Sequence, residues 1–214
     1  MDNRVIITGI IIIVVIVIIY YYLNDSSTKS CKRRENMESI QDNTLFLNND
    51  NNSQKLNYVL WTHHVVWTRM YIIAALGDNK NEASAVLNRL MRNQEDIGNS
   101  IRNIVGDNNA NMLIELLKEH ITIASDIVED VKVGNDKVNY DIQRWIKNAD
   151  DISQLLSTLG FDYNNTKAMF MDHLNLTKAE LLAIKNGDYN ADINTFDKVL
   201  FQAFDMADMF TIMQ

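Results

Sequence analysis

The chain has 214 residues, a formal net charge of −8, no proline and one cysteine. An acidic chain repels phosphate backbones, which argues against nucleic acid as a partner. Cys31 alone forms neither an internal disulfide nor a multi-cysteine metal site, and the missing proline, with only 7 glycines, points to long uninterrupted helices.

Val5 to Leu23 reads VIITGIIIIVVIVIIYYYL, 19 residues without a charge. At about 1.5 Å per residue such a helix spans roughly 28 Å, close to the thickness of a bilayer core. Tyr20, Tyr21 and Tyr22 stand at one end, where aromatic belts lie. Residues 1–23 therefore predict one N-terminal transmembrane helix, with the lipid bilayer as the partner of residues 5–23. Lys29, Lys32, Arg33 and Arg34 follow the span, whereas only Arg4 precedes it, offset by Asp2. The positive-inside rule then puts the C-terminal domain on the cytoplasmic side of a single-pass membrane protein. Residues 24–54 are rich in Asn, Asp and Ser and carry little apolar periodicity, which predicts a disordered polar tether.

From Lys55 to the C-terminus the apolar spacing is helical and glycines punctuate it. Helices are predicted near Lys55–Leu76, Asn81–Val105, Asn109 to Gly134, Lys137–Leu159, Asn165 to Gly187 and Asp192–Met213. Thr177-x-x-Glu180 reads as a capping box that breaks the fifth of these. The short connections favour antiparallel neighbours. The fold class is all-α: a six-helix soluble domain over 55–214.

The six helices show an internal repeat. LWTHHVVWTR, LLKEHITIAS and MFMDHLNLTK align on His64, His120 and His173. RLMRNQEDIG, RWIKNADDIS and FQAFDMADMF align Asn93 with Asn148 and Asp205, and Asp96 with Asp151 and Asp208. Arg89 and Arg144 correspond, with Phe201 in the third copy. The expectation is three repeated helical hairpins packed as one bundle.

Arg89, Asn93 and Asp96 fall at i, i+4 and i+7, as do Arg144, Asn148 and Asp151, so each set forms a stripe on one helix face. Two arrangements fit. In one, each His donates to the Asp of its own hairpin (His64–Asp96, His120–Asp151, His173–Asp208), because buried polar groups need partners. In the other, the three histidines His64, His120 and His173 and the three aspartates Asp96, Asp151 and Asp208 converge on a common axis and offer imidazole and carboxylate to a ligand or a divalent metal. No cofactor is expected otherwise. H-E-x-x-H, E-x-x-H, the P-loop, G-x-G-x-x-G and G-x-S-x-G are all missing, so no motif assigns a reaction.

WTHHVVWTR, NRLMRNQEDIG, LLKEHITIASDIV, KNADDI, DHLNLT and MADM together resemble a family of small all-helical proteins of bacilli, with relatives in large DNA viruses. The resemblance covers roughly Leu60 to Met213 and implies an all-helical domain without a particular activity. The anchor and the Asn-rich tether depart from the family and suit a membrane component of a large virus particle. The expected function is a membrane-anchored binding or structural module that contacts another protein through its helical domain. The alternative is a metal-dependent helical enzyme or metal-binding protein.

Overall fold

The computed structural model describes residues 50–211. The predicted anchor at 1–23 and the tether up to residue 49 lie outside the described residues. Among the described residues no helix is long and apolar enough to cross a membrane. They form six helices and no strand: α1 Asp50–Leu76, α2 Lys80–Ser100, α3 Arg102–Val133, α4 Val138–Thr158, α5 Tyr163–Asn186 and α6 Tyr189–Thr211.

Local chemistry explains most of the boundaries. At the start of α2 the Asn79 side chain caps the helix by accepting from the Glu82 amide at 3.3 Å, and its Nδ2 donates to the Glu82 carboxylate at 2.7 Å. Asp162 caps α5 by accepting from the Asn165 amide at 2.8 Å, and Asp188 accepts from the Ala191 amide at 3.0 Å ahead of α6. Three expectations change. First, residues 50–54 of the predicted tether already belong to α1. Second, the chain turns at Ile101 rather than at Gly106, because Ile101 is fully buried and takes a non-helical conformation between α2 and α3. Gly106 instead kinks the first turn of α3, at φ 80° and ψ 164°, a conformation closed to side-chain-bearing residues. Third, α5 runs unbroken through Thr177. Thr177 and Glu180 are both buried, so neither side chain serves a helix start.

Each helix packs against the next, and α6 packs back against α1, which closes the six into a ring. α1, α3 and α5 also touch one another, so they form an inner layer. Their apolar residues spread around more of the circumference than those of α2, α4 and α6, which have one apolar and one polar face. Inner helices contact neighbours on several sides, and their sequences reflect it. Paired contacts (Leu60–Asn93 with His63–Arg89, His120–Asn148 with Asp126–Arg144, Thr166–Met209 with His173–Gln202) show that consecutive helices run antiparallel within α1–α2, α3–α4 and α5–α6.

The α2–α3 seam is close enough that Gly98 has no room for a side chain: a Cβ there would sit 2.3 Å from Ile114 Cγ1. Gly98→Ala is expected to destabilise the domain by about 1–3 kcal/mol through overpacking. Combining it with Ile114→Ala should cost less than the two single changes together, because the second removes the clashing atom. Urea unfolding of the four variants in this cycle measures both values, and strict additivity would show that the seam relaxes elsewhere.

Candidate functional site

α1, α3 and α5 bring His64, His120 and His173 into the centre of the bundle, where each is only 3–4% exposed. The rings meet: His64 and His173 have centroids 5.4 Å apart, His120 and His173 6.4 Å. Trp61 packs against His64 at 5.6 Å and Trp145 against His120 at 5.1 Å.

The partners of the histidines are side-chain amides rather than carboxylates. His120 Nδ1 donates to Asn148 Oδ1 at 2.8 Å, and Asn148 Nδ2 donates to the Leu116 carbonyl at 3.0 Å. His173 Nδ1 donates to Gln202 Oε1 at 2.9 Å, and Gln202 Nε2 donates to the Met169 carbonyl at 3.2 Å. In α1–α2 the same work is divided: Asn93 Nδ2 donates to the Leu60 carbonyl at 3.0 Å, and Gln94 Nε2 donates to His64 Nδ1 at 3.2 Å. In all three cases the carbonyl lies four residues before the histidine, one turn back on the same helix face. The amide orientation sets the ring tautomers. His120 and His173 carry their proton on Nδ1, whereas His64 accepts there and carries it on Nε2.

Burial pushes all three imidazoles below their ordinary range. His120 falls to about 3, and His64 falls well below normal, with the neighbouring rings adding to the effect of burial. For His173 burial outweighs its bond to Gln202. The rings are neutral at pH 7. His120 Nε2 has no hydrogen-bond partner.

The predicted His–Asp pairs do not form. Asp96 lies 3.8 Å from Arg89, Asp151 pairs with Lys147 at 2.6 Å, and Asp208 accepts from the Tyr58 hydroxyl at 2.6 Å. Asp205 is exposed. Arg89 donates to His63 Nδ1 at 3.4 Å, and Arg144 binds Asp141 at 2.6 Å and Asp126 at 3.3 Å. The cause is angular. Asp96 lies about 60° around α2 from Asn93, enough to move it from the core to its edge. In α6 the residue occupying the place of Asn93 and Asn148 is Gln202, not Asp205. Lys198, Gln202 and Asp205 then fall at the spacing of Arg89, Asn93 and Asp96, and Phe201 and Asp208 drop out of the pattern.

The space beside the histidines is small. One turn along the inner helices lies a cavity of about 30 Å³, lined by Thr68, Ile72, Ile121, Ala124, Trp145 and Thr177 among others. It has room for a water molecule or two and is almost wholly apolar. Among the described residues no three His, Cys, Asp or Glu side chains are placed to hold a metal ion.

A second polar cluster gave no sequence signal. Arg69 on α1 reaches Glu180 on α5 at 2.7 Å and Asp192 on α6 through two bonds, one of 2.7 Å between Nη2 and Oδ2. Both carboxylates are buried. Burial raises Glu180 to about 7 although Arg69 pulls the other way. The partners lie 111 and 123 residues from Arg69, beyond any local pattern.

Comparison with family models, curated proteins and solved structures finds no match for the chain.

Two expected outcomes separate the amide network from the carboxylates. Asn148→Ala leaves a carbonyl and an imidazole N–H buried without partners and should cost about 1–3 kcal/mol, whereas Asp151→Ala on the surface should stay within about 0.5 kcal/mol. Equal losses in urea titrations would return the aspartate to the core network. Arg69→Ala strands two buried carboxylates and should cost about 3–5 kcal/mol. Glu180→Gln should cost far less, because burial already favours the protonated acid. Thermal unfolding of the two variants provides the comparison.

Proposed function

We propose that the helical domain is a binding or structural module built from three repeated hairpins, α1–α2, α3–α4 and α5–α6. The single observation that carries the reading is that amides from the outer helices hold the three core histidines. Every imidazole Nδ1 is held by an amide, and each inner-helix carbonyl one turn back takes a further amide N–H. Such a network fixes helix register and ties each outer helix to its inner neighbour. Matching buried sets support the repeat: Leu90, Asn93 and Ile97 in α2 with Ile101 just after it; Trp145, Asn148, Ile152 and Leu156 in α4; Val199, Gln202, Met206 and Phe210 in α6.

In this reading residues 5–23 hold the module on a membrane, with the helical domain on the cytoplasmic side and another protein as its partner. The family resemblance makes the membrane of a large virus particle a fitting address. Metal binding by His64, His120 and His173 has less behind it. A metal-bound imidazole ligates through the nitrogen that carries no proton, and the Gln94 amide keeps the His64 proton on Nε2, the atom facing away from α2.

Two measurements on the full-length chain test the proposal. Alkaline carbonate extraction of membranes should leave the protein in the pellet, and release into the supernatant removes the anchor. Elemental analysis of the detergent-purified chain should find less than one equivalent of bound metal. Stoichiometric metal that disappears in His120→Ala would transfer the function to the metal-binding class.

A further inference from the structure

We infer that the three-histidine core is an acid-released latch: the inner helices stay together while His64, His120 and His173 are neutral and part when protons reach them. The geometry leaves an added proton nowhere to go. On His120 it must sit on Nε2, which is buried and has no acceptor. On His64 it must sit on Nδ1, which already faces the Gln94 N–H, so two donors would oppose each other across 3.2 Å. On His173, Nδ1–H is already given to Gln202, and the new cation would lie against both other rings.

The surroundings supply almost no compensating charge. α2 presents Gln94 and Asn93 to the cluster, α4 presents Asn148 and Trp145, and α6 presents Gln202. Of the acids on the inner helices, Glu119 on α3 is tied to Asn148 Nδ2 at 3.1 Å, and Asp172 on α5 is exposed. Asp172 draws the His173 proton affinity upward, yet burial dominates and the net shift is downward. His63, the fourth histidine, faces Arg89 rather than the cluster.

The sign follows from linkage. A base with a depressed folded-state pKa binds fewer protons folded than unfolded. Each ring therefore contributes full stability above about pH 6.5 and loses it as the pH falls toward the folded-state value, about 3 for His120. Within that window each ring shifts the opening equilibrium by a factor of about ten per pH unit. Glu180 acts in the opposite direction: raised to about 7, it takes up a proton in the folded state and favours closure as the pH falls toward 4.5. The acid response is therefore steeper without it.

The full-length chain carries its own reporters, because Trp61 packs edge-on against His64 and Trp145 packs against His120. Urea titrations followed by tryptophan fluorescence between pH 7.5 and 4.5 should show the closed form weakening as the pH falls. His120→Gln should flatten that dependence by about tenfold per pH unit, His173→Gln should flatten it as well, and Glu180→Gln should steepen it. A stability that is flat over this range, or a slope unchanged by both histidine substitutions, overturns the latch. Should the variants not fold, the imidazole Cε1–H resonances of the unsubstituted chain decide. Three that stay unshifted until the fold is lost support the proposal, and normal titration of all four near pH 6.5 in the folded chain ends it.

Discussion

A side-chain amide reaching from an outer helix to an inner one organises the centre of this domain. Its requirement is unusual: one group must accept from an imidazole N–H and also donate to a main-chain carbonyl one turn away. Asparagine and glutamine meet both demands without a charge. An ionised carboxylate accepts only and would carry a buried charge into an apolar core at high cost. That chemistry explains why Asn148 and Gln202 hold the histidines while Asp96, Asp151 and Asp208 stay toward the periphery.

The amides also account for the division between layers. α1, α3 and α5 are apolar on more than one side, and each carries one histidine inward. An imidazole surrounded only by Ile, Leu and Trp would lose its hydrogen bonds to water without replacement. The amide from the neighbouring outer helix supplies the replacement and ties that helix to one register. A slip by one residue would turn the amide about 100° away from its two partners. Apolar packing alone, through positions such as Leu156, Met206 and Phe210, tolerates repacking far better.

The helices were legible because glycines, caps and apolar spacing act locally. The repeated histidines were legible for the same reason, since each stands in a similar helical run. Their partners were not, because a carboxylate is the usual mate of an imidazole and the sequence offered one in every hairpin. The alignment of α6 on α2 and α4 was three residues off, nearly one helical turn, and a periodic apolar pattern looks much the same after such a slip. Only the burial of Gln202 and the exposure of Asp205 break the tie. Arg69 stands 111 and 123 residues before Glu180 and Asp192, so their meeting depends on how α1 packs against α5 and α6.

Ring closure also sets the order in which the domain can assemble. Helices pair with their neighbours through short loops, and such contacts form quickly. The seam between α1 and α6 joins Asn57 to Thr211 and Tyr58 to Asp208, across 154 and 150 residues. During synthesis α1 therefore exists without its last neighbour until nearly the whole chain has emerged, and Trp61, which packs on Phe210 at 5.3 Å, lacks that cover throughout. Within the domain, the side of α1 that faces α6 is the last to be covered, so the nascent domain keeps an apolar, aromatic surface exposed until α6 emerges, the kind of surface that chaperones recognise and that aggregates in their absence.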